Sequence, residues 1–154
     1  DAESLADFDL TLAPPPSVYA PAYTLAIRDA PPPVLTIAAY GYMAELAREA
    51  ALALAYEHEI FTELVIPTQL SPFEMAPFLA SLRRTRRLLA VEEGTLSMGW
   101  GAEIVARAAE SLGAHLRAAR RLAAQETPIP AAAPLEAAAL PGVDNIVQIA
   151  CKMV

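Results

Sequence analysis

Short apolar runs alternate with helix-forming stretches along most of this chain, and that alternation restricts the fold more than any other feature. Residues 34–40 are almost entirely apolar and end at Gly41, which is typical of a strand buried on both faces of a sheet. Residues 60–66 and 86–93 are predicted to be the second and third such strands. The alanine-rich stretch 42–58, with leucines at helical spacing, predicts a helix between the first two. The alternation predicts a mostly parallel sheet with helices on both faces.

The next helix has a start signal in its sequence. Ser71 followed by Pro72 favours a helix beginning there, with Glu74 in its first turn near the positive end of the helix dipole. This helix is expected to end at about Arg84.

Three further segments complete the predicted domain. Residues 100–112 predict a helix that ends at Gly113, and residues 144–152 predict a terminal helix. Residues 115–123 remain ambiguous, because helix propensity favours a helix and a weak alternation of apolar residues favours a strand. Residues 126–130 are expected to form a turn or an extended loop.

The first 33 residues are predicted to form a proline-rich connector or leader, and residues 34–154 the folded domain. Two triple prolines, at 14–16 and 31–33, favour extended polyproline geometry and exclude helix. Residues 23–27 could form a strand, which the flanking prolines would confine to an edge or first position. Because the chain begins with Asp rather than Met, we expect a processed protein or a piece of a longer polypeptide.

Composition excludes several classes of protein. The chain has 154 residues, enough for one domain with its own core, and its net charge of −7 argues against nucleic acid as the main partner. Charge or proline interrupts every apolar stretch before it reaches the roughly 18 residues that a membrane span needs. Cys151 is the only cysteine, so no internal disulfide can form, and a reducing, cytoplasmic compartment fits.

Several stretches together resemble a known family. They are residues 34–41, the sequence Leu-Leu-Ala-Val-Glu-Glu-Gly at 88–94, Gly-Trp-Gly-Ala-Glu-Ile at 99–104, Thr-Pro-Ile-Pro at 127–130, Leu-Glu at 135–136 and Leu-Pro at 140–141. This order resembles the C-terminal transketolase-like domain of the beta subunit of 2-oxo acid dehydrogenases, over about residues 34–150. The middle stretches and the Pro-Ile-Pro stretch carry most of the specificity.

The resemblance implies a three-layer α/β/α fold with a mostly parallel, five-stranded mixed sheet and one strand antiparallel to the rest. It also implies a strand at residues 115–123. In that family the domain holds no catalytic residue, cofactor or metal, and thiamine diphosphate and magnesium bind in the preceding domains. The domain packs against its twin across a two-fold axis, and it helps to dock the subunit-binding domain of the acyltransferase.

The residues themselves mark a candidate interface or strand-end loop at the end of the third strand. Its members are Glu92, Glu93, Gly99, Trp100, Gly101 and Glu103. Paired carboxylates could serve acid–base chemistry, but a solvated strand end or a carboxylate facing the next helix is the more common arrangement. The glycines precede a helix without the lysine or full spacing of a phosphate-binding loop, which favours close packing. The tryptophan fits either an interface anchor or a core residue.

Other reactive residues give weaker signals. His58 and His115 each lack a second ligand at metal-binding spacing, so a metal site is not expected. Cys151 has no visible base partner and is interpreted as a small apolar filler. Arg83, Arg84, Arg86 and Arg87 form a basic cluster that could bind an anion or simply be the charged end of a helix.

Three hypotheses about function follow. The first is the C-terminal assembly domain of a 2-oxo acid dehydrogenase that carries out oxidative decarboxylation with acyl transfer to lipoamide. The domain would support a homodimer, contact the catalytic domains and dock a basic subunit-binding domain of the acyltransferase. The second is an autonomous ligand- or protein-binding module of the same fold. The third is a small enzyme with its site around Glu92, Glu93 and the glycines.

Overall fold

A computed structural model of the chain describes residues 6–12 and 20–154, so the first triple proline lies outside the described residues. The strands are β1 (Phe8–Leu12), β2 (Ala22–Ile27), β3 (Leu35–Ala39), β4 (Thr62–Pro67), β5 (Arg87–Thr95) and β6 (Ala118–Ala124). The helices are α1 (Tyr42–His58), α2 (Ala76–Thr85), α3 (Trp100–Leu112), α4 (Ala133–Ala139) and α5 (Val143–Met153), with a 3₁₀ turn at Gly113–His115.

The strands form one mixed sheet in the order β1-β2-β4-β3-β5-β6. β3 pairs in parallel with both β4 and β5, and β5 pairs in parallel with β6. β2 is antiparallel to both of its neighbours, β1 and β4, so it alone runs against the other described strands. The three-layer α/β/α class and the single opposed strand are therefore confirmed, and β1 adds a sixth strand to the five expected.

Two apolar clusters hold the helices against opposite faces of the sheet. Ile37, Leu64 and Leu89 pack with α1 and α5 on one face. On the other face Val65 and Leu88 pack with α2 and α3. All five residues of β3 are buried, which explains why this strand reads as a continuous apolar run.

Local signals predicted some helix boundaries and missed others. α1 covers the predicted residues 42–58, and Gly41 makes the turn into it with a φ of +56°, which glycine adopts without strain. The prediction that α2 begins at Ser71 and Pro72 was wrong, because the helix begins at Ala76 and Pro77 is the proline in its first turn. The Glu74 carboxylate accepts a hydrogen bond from the Ala76 amide, so it lies at the helix start as expected.

The ambiguous segment near residue 120 is a strand, β6, as the resemblance implied and against helix propensity. The terminal helix is present as α5, whereas α4 had not been predicted. β4 and β5 match their predicted runs within two residues.

The sheet extends into the segment expected to be a connector. β2 confirms the predicted strand, but its predicted edge position was wrong, because β1 pairs with its outer side. Arg28 helps to hold this hairpin by donating hydrogen bonds to the Asp9 carboxylate and the Phe8 carbonyl. The domain boundary at residue 33 stays a prediction. In the described part of the chain, no helix has the length and apolar character of a membrane span.

Candidate functional site

The carboxyl ends of β3 and β5 form the place in this fold where a ligand is most expected. The two strands are neighbours, and the helices that follow them, α1 and α3, lie on opposite faces of the sheet. Where the connections from two neighbouring strands leave to opposite faces of a sheet, a crevice remains at the strand ends. Ligands of open α/β sheets usually bind in that crevice.

Aromatic side chains of the domain itself fill this crevice. Trp100, at the start of α3, has its ring centre 5.4 Å from that of Tyr40, which follows β3, in an edge-to-face arrangement. The same indole lies 5.4 Å from the Phe73 ring and 6.0 Å from the Phe78 ring. The guanidinium group of Arg107 lies over the Phe73 ring, with its central carbon 4.5 Å from the ring centre. The tryptophan therefore packs on aromatic rings of its own domain, and its role as an interface anchor stays a prediction.

Glu92 is the charged residue at the centre of the site. Its side chain is only 1% exposed, and its Oε1 accepts a hydrogen bond from the Gly101 amide at 2.8 Å. This amide is one of the first in α3, whose positive dipole end stabilises a carboxylate. Glu92 therefore caps the helix from the preceding strand.

The glycines leave room for this carboxylate. A Cβ at Gly99 would lie 2.4 Å from the Thr95 carbonyl and 2.5 Å from the Glu92 Oε1. A Cβ at Gly101 would lie 2.6 Å from the same oxygen, and one at Gly94 would lie 3.1 Å from Oε2. All three glycines thus surround the glutamate, which explains a glycine-rich loop without a bound phosphate.

Two buried polar atoms of the site have no hydrogen-bond partner among the described residues. They are the Glu92 Oε2 and the Trp100 Nε1. Tyr40 lies beside them, and burial raises the pKa of its phenol, with further increases from the negative charges of Glu92 and Glu93. A backbone hydrogen bond at Gly94 opposes that rise in the pKa of Tyr40. The site therefore favours a neutral phenol next to a buried carboxylate.

The structure brings some of the sequence-predicted residues together and separates others. Glu92, Gly99, Trp100 and Gly101 meet at the start of α3. Glu93 and Glu103 are exposed instead, so the two adjacent glutamates do not form a carboxylate pair. The alternation of a strand predicts this, because neighbouring side chains point to opposite faces.

Sequence reasoning missed two participants. Tyr40 was treated only as the end of a strand. Because β3 and β5 are parallel neighbours, a residue at the carboxyl end of β3 is well placed to contact Glu92 at the same end of β5. Glu126 was also missed: its carboxylate accepts hydrogen bonds from the amide and hydroxyl groups of Ser97, which tie the segment after β6 to the strand-end loop. No local motif indicated that second contact.

The site does not fit a diphosphate. A phosphate at the start of α3 would meet the Glu92 carboxylate, which already accepts the Gly101 amide and would repel it. Among residues 6–12 and 20–154, no group of three or more His, Cys, Asp or Glu side chains is arranged to hold a metal ion. The residues around Glu92 instead organise the loop and the start of α3.

The remaining reactive residues take separate places. His115 uses Nε2 to contact the Arg83 carbonyl at 3.1 Å, and His58 is exposed at the end of α1. Cys151 is exposed on α5.

The arginine cluster is divided among different partners. Arg84 binds both carboxylate oxygens of Glu63, at 2.5 and 2.7 Å, while Arg86 donates to the His115 carbonyl. Arg87 donates to the Val34 carbonyl at 3.4 Å. These contacts link α2 and β5 to the elements around them and do not form a shared anion site.

The family model for the transketolase C-terminal domain matches residues 25–146. The chain belongs to this family. As a transketolase C-terminal domain it is similar to the beta-2 subunit of the mitochondrial pyruvate dehydrogenase E1 component of Oryza sativa subsp. japonica, at 38% identity over 117 residues. It is also 32% identical over 113 residues to the beta subunit of a 3-methyl-2-oxobutanoate dehydrogenase of Mycobacterium tuberculosis. The resemblance to beta subunits of 2-oxo acid dehydrogenases is confirmed.

The transketolase C-terminal domain spans only part of these relatives. The two alignments cover 75% and 73% of this chain but 31% and 32% of the relatives. Among solved structures, an inactive beta4 tetramer of a split-gene transketolase superposes with a TM-score of 0.67 at 22% identity, over 80% of this chain and 40% of that one. At that identity the superposition supports the fold alone.

Proposed function

We propose that this chain is the C-terminal assembly domain of a thiamine-diphosphate-dependent 2-oxo acid dehydrogenase. In this proposal the parent enzyme decarboxylates a 2-oxo acid oxidatively and transfers the acyl group to lipoamide. The thiamine diphosphate and magnesium are held by its other domains, since the crevice of this domain is filled by its own side chains. The domain supports a homodimer and docks the acyltransferase. A cytoplasmic location stays part of the proposal, because the lone cysteine suits a reducing compartment.

An exposed apolar surface at the strand-end loop is the observation that carries this proposal. Met98 is fully exposed and Leu96 is 40% exposed, and both lie directly after β5. Ile129, in the segment that Glu126 ties to this loop, is 46% exposed. Apolar side chains held in fixed positions at a surface indicate contact with another protein surface.

Two exposed carboxylates on the elements that flank this loop suit a basic partner. Glu93 lies where β5 leaves the core and Glu103 lies in the first turn of α3, and both are exposed. Exposed carboxylates on the elements that flank an apolar loop are complementary to a positively charged subunit-binding domain. The buried Glu92 supports this surface by fixing the start of α3 beside the loop.

Binding of a recombinant subunit-binding domain of the acyltransferase from the same organism tests the proposal. Calorimetry on the protein that carries this chain should show binding that Met98→Asp weakens. Tyr56→Asp is the matched control, because Tyr56 is another exposed apolar residue, 73% exposed near the end of α1. Equal binding by both variants would contradict docking at this loop.

The autonomous binding module stays the second candidate because the domain has a cavity of its own. A cavity of about 300 Å³ lies between the β1–β2 hairpin and α1, lined mainly by apolar atoms that include those of Leu10, Leu25 and Ile66. A module acting alone would bind a small apolar ligand there. The mass of the native polypeptide, detected in a source lysate with an antibody to this domain, separates the candidates. A band near 16.4 kDa supports the module, and a band several tens of kDa larger supports the dehydrogenase.

A further inference from the structure

β6 ends the sheet on the side away from the β1–β2 hairpin. One side of β6 is paired with β5, and no described strand pairs with the other side. Its free backbone amide and carbonyl groups can therefore accept one more strand. A strand of another protein could form main-chain hydrogen bonds with β6 up to Ala124, beyond which the Gln125 amide is bonded to the Ala139 carbonyl.

Positive charge is concentrated along this free edge. Arg117 precedes β6, Arg120 lies within it, and Lys152 lies on the adjacent helix α5, and all three are exposed. The ion pairs within the described residues join carboxylates to Arg28, Arg48 and Arg84 instead. In a chain of net charge −7, this edge therefore holds cations that form no ion pair with a carboxylate of residues 6–12 or 20–154.

A small cavity flanks the edge on each face of the sheet. On the α5 face, Ile149, Lys152 and Met153 line a cavity of about 230 Å³. On the α3 face, Leu96 and Val105 contribute to a cavity of about 280 Å³. Arg120 and Arg121 line both cavities.

This combination matches the geometry of strand addition. Successive side chains of an added strand point to opposite faces of the sheet, so they would enter the two cavities in turn. Each cavity offers apolar atoms together with guanidinium groups. The side chain of Arg121 is held at the cavity on the α3 face, because its Nη1 donates a hydrogen bond to the Leu96 carbonyl at 2.6 Å.

We propose that the free edge of β6 binds an extended acidic segment of a partner protein as a seventh strand. Carboxylates of that segment contact Arg117, Arg120 and Lys152, and its apolar side chains enter the two cavities. The backbone supplies the affinity and the cations select acidic sequences. This inference rests on other observations than the docking surface proposed above, although the two sites share Leu96, which follows β5 and also lines the cavity on the α3 face.

A synthetic ten-residue peptide in which glutamate alternates with valine, labelled with fluorescein, is the probe. Fluorescence anisotropy with the full chain at low ionic strength should show saturable binding, and the same peptide with lysine for glutamate should not bind. Arg120→Glu and Lys152→Glu should each weaken binding about tenfold. Arg83→Glu is the matched control, since Arg83 is exposed on α2 and outside both cavities. Circular dichroism confirms that the variants are folded.

A peptide with N-methyl groups on alternate backbone nitrogens separates strand addition from simple charge attraction. Methylation removes the amides that would pair with β6 and leaves every carboxylate in place. Loss of binding supports an added strand, whereas unchanged binding overturns it. The proposal also fails if Arg83→Glu weakens binding as much as Arg120→Glu does, or if a short DNA oligonucleotide binds as tightly as the acidic peptide. Absence of peptide binding likewise overturns it, leaving the cations as protection against edge-to-edge aggregation.

Discussion

At the carboxyl end of β5 a carboxylate is buried within the domain, whereas at the free edge of β6 the basic groups face outward. Glu92 is 1% exposed and its carboxylate is held against the start of α3. Arg117 and Arg120 are exposed and form no ion pair within the described residues. The difference teaches that the charged residue at the centre of the expected ligand crevice is structural, whereas the arginines at the sheet edge are open to solvent.

Gly99→Ala is the variant expected to disturb the buried region most. The added Cβ would lie 2.4 Å from the Thr95 carbonyl and within 2.7 Å of both Glu92 carboxylate oxygens, so the backbone must move. We expect the free energy of unfolding to fall by about 3 kcal/mol or more, measured by chemical denaturation.

Gly142→Ala is the control for that measurement. Gly142, like Gly99, has an extended backbone and directly precedes a helix. The nearest atom to a Cβ at Gly142 would be the Asn145 Oδ1, at 3.5 Å. Replacing a glycine by alanine at a helix N-cap lowers the free energy of unfolding by about 1 kcal/mol or less, and this effect is common to both substitutions. A similar effect of both would show that crowding around Glu92 contributes nothing.

Glu92→Ala and Glu93→Ala test whether the buried and the exposed carboxylate of this pair contribute differently to stability. Removing the buried side chain leaves a cavity and an unpaired Gly101 amide, so we expect a loss of about 2–3 kcal/mol in the free energy of unfolding. The exposed Glu93 should change it by no more than about 0.5 kcal/mol. Equal losses from the two variants in urea titrations would contradict the comparison.

Arg117→Ala and Arg120→Ala test the exposed region. Neither side chain has a carboxylate partner within the described residues, so we expect each free energy of unfolding to stay within about 0.5 kcal/mol of the parent value. Thermal or urea unfolding measures this directly. A loss of 2 kcal/mol would mean that the edge cations hold the domain together, as Glu92 does.

Tyr40→Phe should have the smallest effect, confined to alkaline pH. The folded protein raises the pKa of this phenol above its ordinary value of about 10, so the folded state keeps a proton that the unfolded state loses. Stability from the neutral phenol is present below pH 10 and is lost as the pH rises through the folded-state pKa. The variant should therefore show a shallower alkaline decline in the free energy of unfolding. Tyr42→Phe, which removes an exposed phenol, is the control and should leave the decline unchanged.

Local patterns predicted the central architecture because burial on two faces leaves a clear signal. The continuous apolar runs became β3, β4 and β5, and the alanine-rich stretch became α1. β6 had arginines and alanines where a buried strand would have branched residues, since it is an edge strand with little apolar burial. Its identity came from the family resemblance, and tertiary pairing with β5 overrides its helix propensity.

The centre of the candidate site was only partly predictable. The family resemblance and the glycine spacing identified Glu92 and the following loop as a candidate site. That the glycines surround the carboxylate depends on how β5 turns into α3, and Tyr40 reaches it from another strand. Contacts between segments far apart in sequence, such as Ser97 with Glu126, carry no local motif and required the structure.

Trp100 gives this domain a built-in optical reporter. It is the only tryptophan in the chain, and its ring packs on Tyr40, Phe73 and Phe78 while its indole nitrogen is buried next to the strand-end loop. Its emission therefore reports on one place, the junction of β5 and α3, without any label. A shift of that emission to longer wavelength would reveal opening of the crevice, and energy transfer from nearby tyrosines would report its closure.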